Sequence, residues 1–112
     1  MTGIKLFVDD LRPTPNGWHK ARTVTEAIRI LATVVVDEIS LDHDIACYDP
    51  VTFAEHTSPE TYFAVAYYLA LIPKEKRPKI RIHTSNVVEG RRMAELLEIP
   101  YNNEIYNDKN YE

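Results

Sequence analysis

Two short apolar runs in this chain each end on a cluster of acids, and that pairing restricts the fold more than any other feature. The first is Ile4-Lys5-Leu6-Phe7-Val8-Asp9-Asp10 and the second Ile39-Ser40-Leu41-Asp42-His43-Asp44. Short β-prone runs separated by helical segments predict a parallel sheet. The carboxyl ends of its strands then share one edge, where ligands bind at the switch point of strand order. Four carboxylates gathered there repel one another and call for a cation or a protonated neighbour. A third run, Ile80-Arg81-Ile82-His83-Thr84-Ser85-Asn86, ends on the same edge with a histidine, hydroxyls and an amide. That set suits a phosphate and a divalent metal.

Between these runs the punctuation is clear. Leu11-Arg12-Pro13-Thr14-Pro15-Asn16-Gly17 forbids a helix and marks a tight loop. A short strand is predicted between Trp18 and Val24, with Trp18 pinning the loop to the core. Thr23-Val24-Thr25-Glu26 matches a capping box, and Val24, Ala27, Ile28 and Leu31 recur with helical period to about Thr33. Val34 to Leu41 reads as the next strand, and 45–57 as a long loop. Ser58-Pro59-Glu60 reads as the start of a helix running to about Ile72. The last strand covers 80–84, and Asn86 caps a helix that stops before Pro100. The tail from 100 to 112 reads either as an edge strand or as a loose end. The predicted order, β-β-α-β-α-β-α, is a single small three-layer α/β domain over 1–112: a mostly parallel four-stranded sheet, order 2-1-3-4, with helices on both faces. The weak point is the connection between the first two strands, which is short for a parallel crossover.

Composition excludes several classes. The 112 residues carry 17 acidic and 13 basic side chains, a formal charge of −4. That balance argues against extended duplex binding, which rests on clustered Lys and Arg, yet allows a nucleotide or one RNA end. Cys47 is the lone cysteine, so no intrachain disulfide forms and a reducing, cytoplasmic setting is expected. The longest nearly apolar run, Phe63 to Ile72, is far short of a membrane span.

Each candidate residue also has a plain structural role. Asp9 and Asp10 either solvate a strand end or, with Asp42, hold a cation; Mg²⁺ suits such oxygens, whereas a histidine ligand favours Mn²⁺, Fe²⁺ or Zn²⁺. His43 and His83 are either packed ring systems or general acid–base groups, and Asp44 is a further proton carrier. Arg12 either pairs with the first acids or offers its planar fork to phosphate. Ser85 and Asn86 cap a helix whose N-terminus also suits a phosphate. Tyr62, Tyr67 and Tyr68 read as core and helix-surface aromatics. The triplet His-Thr-Ser occurs at 56–58 and 83–85. Two-histidine phosphoesterases use paired His-x-Ser/Thr motifs on strands, but the first copy here reads as leading into a helix.

The chain resembles a response-regulator receiver domain: Asp9 and Asp10 match the acidic pair, Asp42 the phospho-acceptor, and Thr84 or Ser85 the hydroxyl after the fourth strand. More specifically, Val8-Asp9-Asp10-Leu11-Arg12-Pro13, Gly17-Trp18, Ser40-Leu41-Asp42-His43-Asp44 and His83-Thr84-Ser85-Asn86 resemble the cyclic-phosphate-processing receiver domain, over roughly residues 4–98. The resemblance implies a receiver-like (flavodoxin-like) fold and a cyclic nucleotide or RNA cyclic-phosphate end as partner. Two departures matter. A proline loop replaces the helix between the first two strands, and no strand after residue 98 ends in the lysine that contacts the phosphoryl group in receivers.

The expected function is a metal-assisted phosphoesterase for a cyclic phosphate. Asp9, Asp10 and Asp42 hold a divalent cation (Mg²⁺ or Mn²⁺, with Zn²⁺ open), Arg12, Ser85 and Asn86 grip phosphate, and Asp42, His43, Asp44 and His83 form the catalytic set. The rivals are a non-catalytic receiver that binds a nucleotide or protein, and a phospho-acceptor switch at Asp42.

Overall fold

The computed structural model describes residues 3–42, 44–48, 55–84 and 86–101. Its main sheet comprises β1 (Ile4–Val8), β2 (His19–Ala21), β3 (Val36–Leu41) and β6 (Lys79–Ile82), in the order β2-β1-β3-β6. Every pairing in it is parallel. The strand order expected from the sequence is therefore present, including the parallel β1–β2 pair joined by a short loop. Residues 9–18 manage this connection without a helix. Asp9 Oδ1 accepts from the backbone N–H of Leu11 at 2.9 Å and of Arg12 at 3.0 Å, turning the chain at once. Gly17, at φ +87°, completes a second turn in which Trp18 N–H donates to Pro15 O at 3.1 Å. Lys20 Nζ then ties β2 to the Arg12 carbonyl.

Alternation along the strands sorts the two faces. Leu6 and Val8, Ile39 and Leu41, and Ile82 point to one side, where they share a buried cluster with Val24 and Ala27, Val65 and Leu69, and Met93 and Leu97. These come from helices α1 (Val24–Thr33), α2 (Phe63–Leu71) and α3 (Val87–Leu97). The expectation of helices on both faces is thus met on one, among the described residues. The physical reason lies in the proline loop, which replaces the helix that would have crossed the opposite face. There, Phe7 is covered edge-on by Trp18, with ring centroids 6.4 Å apart at 77°.

Local signals explain most boundaries. Thr23 accepts from Glu26 N–H at 3.0 Å to cap α1, and Asn86 Oδ1 accepts from Glu89 N–H at 3.2 Å to cap α3. Glu98, left-handed at φ 56°, ends α3.

One region differs from the sequence reading. Residues 45–57 are not a loop throughout, and no helix starts at Ser58. Instead β4 (Asp44–Tyr48) and β5 (Glu55–Thr61) form a separate antiparallel pair. Pro59 is tolerated because each strand of a two-stranded ribbon has one unpaired side. The helix begins only after Thr61, whose Oγ1 accepts from Phe63 N–H at 3.3 Å. The first His-Thr-Ser triplet therefore lies within β5, whereas His83 and Thr84 of the second follow β6 of the other sheet. Pro100 and Tyr101 are not in a strand, and the rest of the tail lies outside the described residues. No described helix is long and apolar enough to cross a membrane.

Candidate functional site at the carboxyl edge

Asp9, Asp42 and His83 each directly follow a strand of the parallel sheet, and each still belongs to its ladder. Asp9 N–H donates to Ala21 O at 3.1 Å, Asp42 N–H to Val8 O at 3.0 Å, and His83 N–H to Leu41 O at 2.8 Å. The backbone register thus sets three candidate side chains at one level of one edge. All three are buried, as is Thr84 beside them.

Asp9 is the centre of this group. Besides the two backbone donors to Oδ1, its Oδ2 accepts from Arg12 Nη1 at 2.8 Å and from His83 Nε2 at 2.9 Å. A carboxylate offers about four acceptor positions, and these four contacts fill them. Burial alone would raise the Asp9 pKa. The hydrogen bonds from His83, Arg12 and the backbone N–H groups of Arg12 and Leu11 overcome it, holding the carboxyl well below the usual range. Arg12 Nη1 also donates to Asp42 Oδ2 at 2.9 Å, so a single nitrogen bridges both carboxylates. Burial acts to lower the Arg12 pKa, and the charges of Asp9 and Asp42 more than reverse it.

His83 sits behind this group. Asp9 can only accept, so Nε2–H donates to it, and in the neutral ring Nδ1 then accepts from the Ser40 hydroxyl at 2.6 Å. Phe7 stacks on the ring at 4.4 Å and 4°. Both ring nitrogens are engaged and the residue is buried, so its place is that of a group orienting Asp9.

Asp10 is half-buried, and one ligand oxygen from each of Asp9, Asp10 and Asp42 lies within 4.8 Å of the others. In donor chemistry and spacing the set fits a hard divalent cation, Mg²⁺ or Mn²⁺. His83, with both nitrogens used, does not add the imidazole that would favour Zn²⁺. The same geometry also shows Arg12 standing between two of the three carboxylates. Tyr62 lies near the cluster, its hydroxyl donating to Arg22 O. Burial first, and then the charges of Asp10, Asp9 and Asp42, push its pKa far up and keep it neutral.

Of the other expected site residues, Asn86 caps α3, while its N–H donates to Thr84 Oγ1 at 3.1 Å. Asp44 opens β4, its backbone paired with Thr61. His43 and Ser85 lie outside the described residues. Ser40 and Phe7 were not singled out from the sequence. They precede Asp42 and Asp9 by two residues, and strand alternation puts such pairs on one face.

A family model described as the cyclic-phosphate processing receiver domain matches residues 4–99. The chain belongs to that family. Neither the curated proteins nor the solved structures that were compared contain a match. Membership ties the chain to cyclic-phosphate processing. Among the described residues, no strand after α3 supplies the lysine of ordinary receivers.

Proposed function

We propose that this receiver domain is a phosphoesterase that opens a cyclic phosphate, on an RNA end or a cyclic nucleotide, at the carboxyl edge. One observation carries the reading: a partly exposed guanidinium sits between the buried carboxylates of Asp9 and Asp42, with Asp10 beside them. An edge built only to end a sheet has no use for such a concentration of charge.

In this reading Asp9, Asp10 and Asp42 hold a divalent cation. A divalent ion held there would polarise a phosphoryl oxygen and lower the pKa of a bound water, which gives up a proton and supplies the attacking hydroxide. The planar fork of Arg12 pairs with two phosphate oxygens, and the N-terminus of α3, with Ser85 and Asn86, adds further donors. His83 keeps Asp9 ionised and correctly turned. The proton falls to His43 or Asp44, which follow Asp42 in the chain.

The test is to incubate cyclic-phosphate RNA ends and cyclic nucleotides with the protein, with and without Mg²⁺ or Mn²⁺, and to separate products by chromatography. Metal-dependent turnover is expected, falling by roughly 10²-fold or more in Asp42→Asn and in whichever of His43→Ala and Asp44→Asn removes the proton carrier. Binding without product would refute catalysis and favour a receiver that only captures its ligand.

A further inference from the structure

The four contacts on Asp9 have a consequence for any cation at this site. The Asp9 side chain is 0% exposed, that of Asp42 8% and that of Arg12 29%. A metal ion that is to share both carboxylates must therefore take the position of Arg12 Nη1, the group between them and the most open of the three. A cation cannot be added to a carboxylate whose acceptor positions are full; it must replace one of the donors. The two backbone donors are fixed by the turn, and His83 is locked between Ser40 and Asp9 under the Phe7 ring. Arg12 is the replaceable one.

We propose that Arg12 is a latch: it occupies the cation position in the resting site, and an oxyanion draws it off, so that phosphate and metal bind with positive coupling. The geometry gives the latch its weakness. The contacts to Asp9 and to Asp42 described above each use the same nitrogen, Nη1, whereas an oxyanion can take the guanidinium fork by two parallel hydrogen bonds, the stronger arrangement. Once Arg12 turns to the oxyanion, two neighbouring carboxylates lose their counter-ion together, and a divalent cation becomes the favoured replacement. Metal loading is thereby restricted to the phosphate-bound state. By linkage, metal must tighten the oxyanion by the same factor.

This rests on the cation-holding role of the carboxylates proposed above, but its test does not use turnover. Mn²⁺ binding is measured by titration calorimetry on wild type, Arg12→Ala and Arg12→Gln, each first checked for a cooperative thermal transition. Sulfate serves as an inert tetrahedral oxyanion, with chloride at matched ionic strength as control. The latch predicts Mn²⁺ binding tighter by about tenfold or more in both variants, the scale of removing one adjacent unit charge. It also predicts that sulfate tightens Mn²⁺ in wild type but leaves the variants unchanged. Equal or weaker Mn²⁺ binding in the variants overturns it. So does a sulfate effect that survives loss of Arg12, or the absence of Mn²⁺ binding in all three proteins. Coupling without turnover would sink the phosphoesterase and leave the latch standing; turnover without coupling would do the reverse.

Discussion

Replacing Asp9 with Asn changes almost no volume and removes one charge from a buried carboxylate held by four donors. Asparagine keeps one carbonyl oxygen and brings an NH₂ group. With the oxygen turned to the Leu11 and Arg12 N–H groups, the loop turn survives. The NH₂ then faces two donors, Arg12 Nη1 and His83 Nε2. His83 has an escape: it can move its proton to Nδ1, donate to the Ser40 oxygen, and accept from the new amide. Arg12 has none on that side, although its contact with Asp42 remains. One charge-assisted hydrogen bond is therefore lost outright, worth about 1.5–3 kcal/mol, and a second becomes neutral. The expected loss is about 2–3 kcal/mol, somewhat below the 3–5 kcal/mol typical of a buried ion pair broken with no tautomer to absorb part of the damage.

Urea unfolding reads this as a lowered midpoint at unchanged slope. In a domain of this size the melting temperature should fall by roughly 10 °C or more. Asp10→Asn is the control, since it removes the same charge from a half-buried neighbour and should cost less than about 1 kcal/mol. An Asp9→Asn protein within 1 kcal/mol of wild type, or no less stable than Asp10→Asn, would refute the argument that Asp9 is held by four donors.

Three further outcomes follow from the same geometry. Gly90→Ala places a Cβ 2.9 Å from Thr84 Cγ2 and 3.0 Å from the Tyr101 ring, so overpacking should outweigh the helix-propensity gain and cost about 1–2 kcal/mol in urea unfolding. Because the folded Asp9 carboxyl is held below its ordinary range, its contribution is complete above roughly pH 4 and is lost as the pH falls further. Wild-type stability, followed by denaturant melts, should consequently drop more steeply below that pH than that of Asp9→Asn. Incubation with acetyl phosphate and Mg²⁺ should leave Asp42 unmodified by mass spectrometry, since among the described residues no strand after α3 supplies the lysine that contacts the phosphoryl group in ordinary receivers; a phosphoryl adduct absent from Asp42→Asn would instead establish a phospho-acceptor switch.

The sheet and its edge were legible because they follow from local rules. Apolar runs ending in acids gave the strands, and Thr23 and Asn86 announced their helices through capping geometry that is present in the fold. Parallel order puts Asp9 and Asp42 at one edge, and the turn held by Asp9 brings Arg12 back to both. The segments Asp44–Tyr48 and Glu55–Thr61 were misread because Ser58-Pro59-Glu60 carries a strong helix-start pattern, while the competing signal is the pairing of the two segments with each other. Local propensity cannot register such a partner. The burial of His83 was equally hidden. Its neighbours in sequence place it at the edge, but what closes it off is Phe7, 76 positions earlier, and Ser40, 43 positions earlier.

The line Ser40–His83–Asp9 has the composition of a hydrolytic triad, and its burial decides against that use. Ser40 is 0% exposed and lies inside the sheet level occupied by Phe7, so no substrate carbonyl or phosphorus can reach its hydroxyl. A nucleophile must meet its target within about 3.5 Å, and here that space is protein. The hydrogen bonds run outward from the core: Ser40 holds His83 at Nδ1, Asp9 accepts from Nε2–H and so sets where the ring carries its proton, and Asp9 receives Arg12 at the rim. Each member restricts the next, while exposure rises only at the guanidinium. Such an arrangement makes the buried carboxylate rigid and leaves one charged group able to change partners. A site that must bind its oxyanion before it commits a cation needs that combination, and a surface ion pair could not provide it, because two mobile partners would release either ligand in either order.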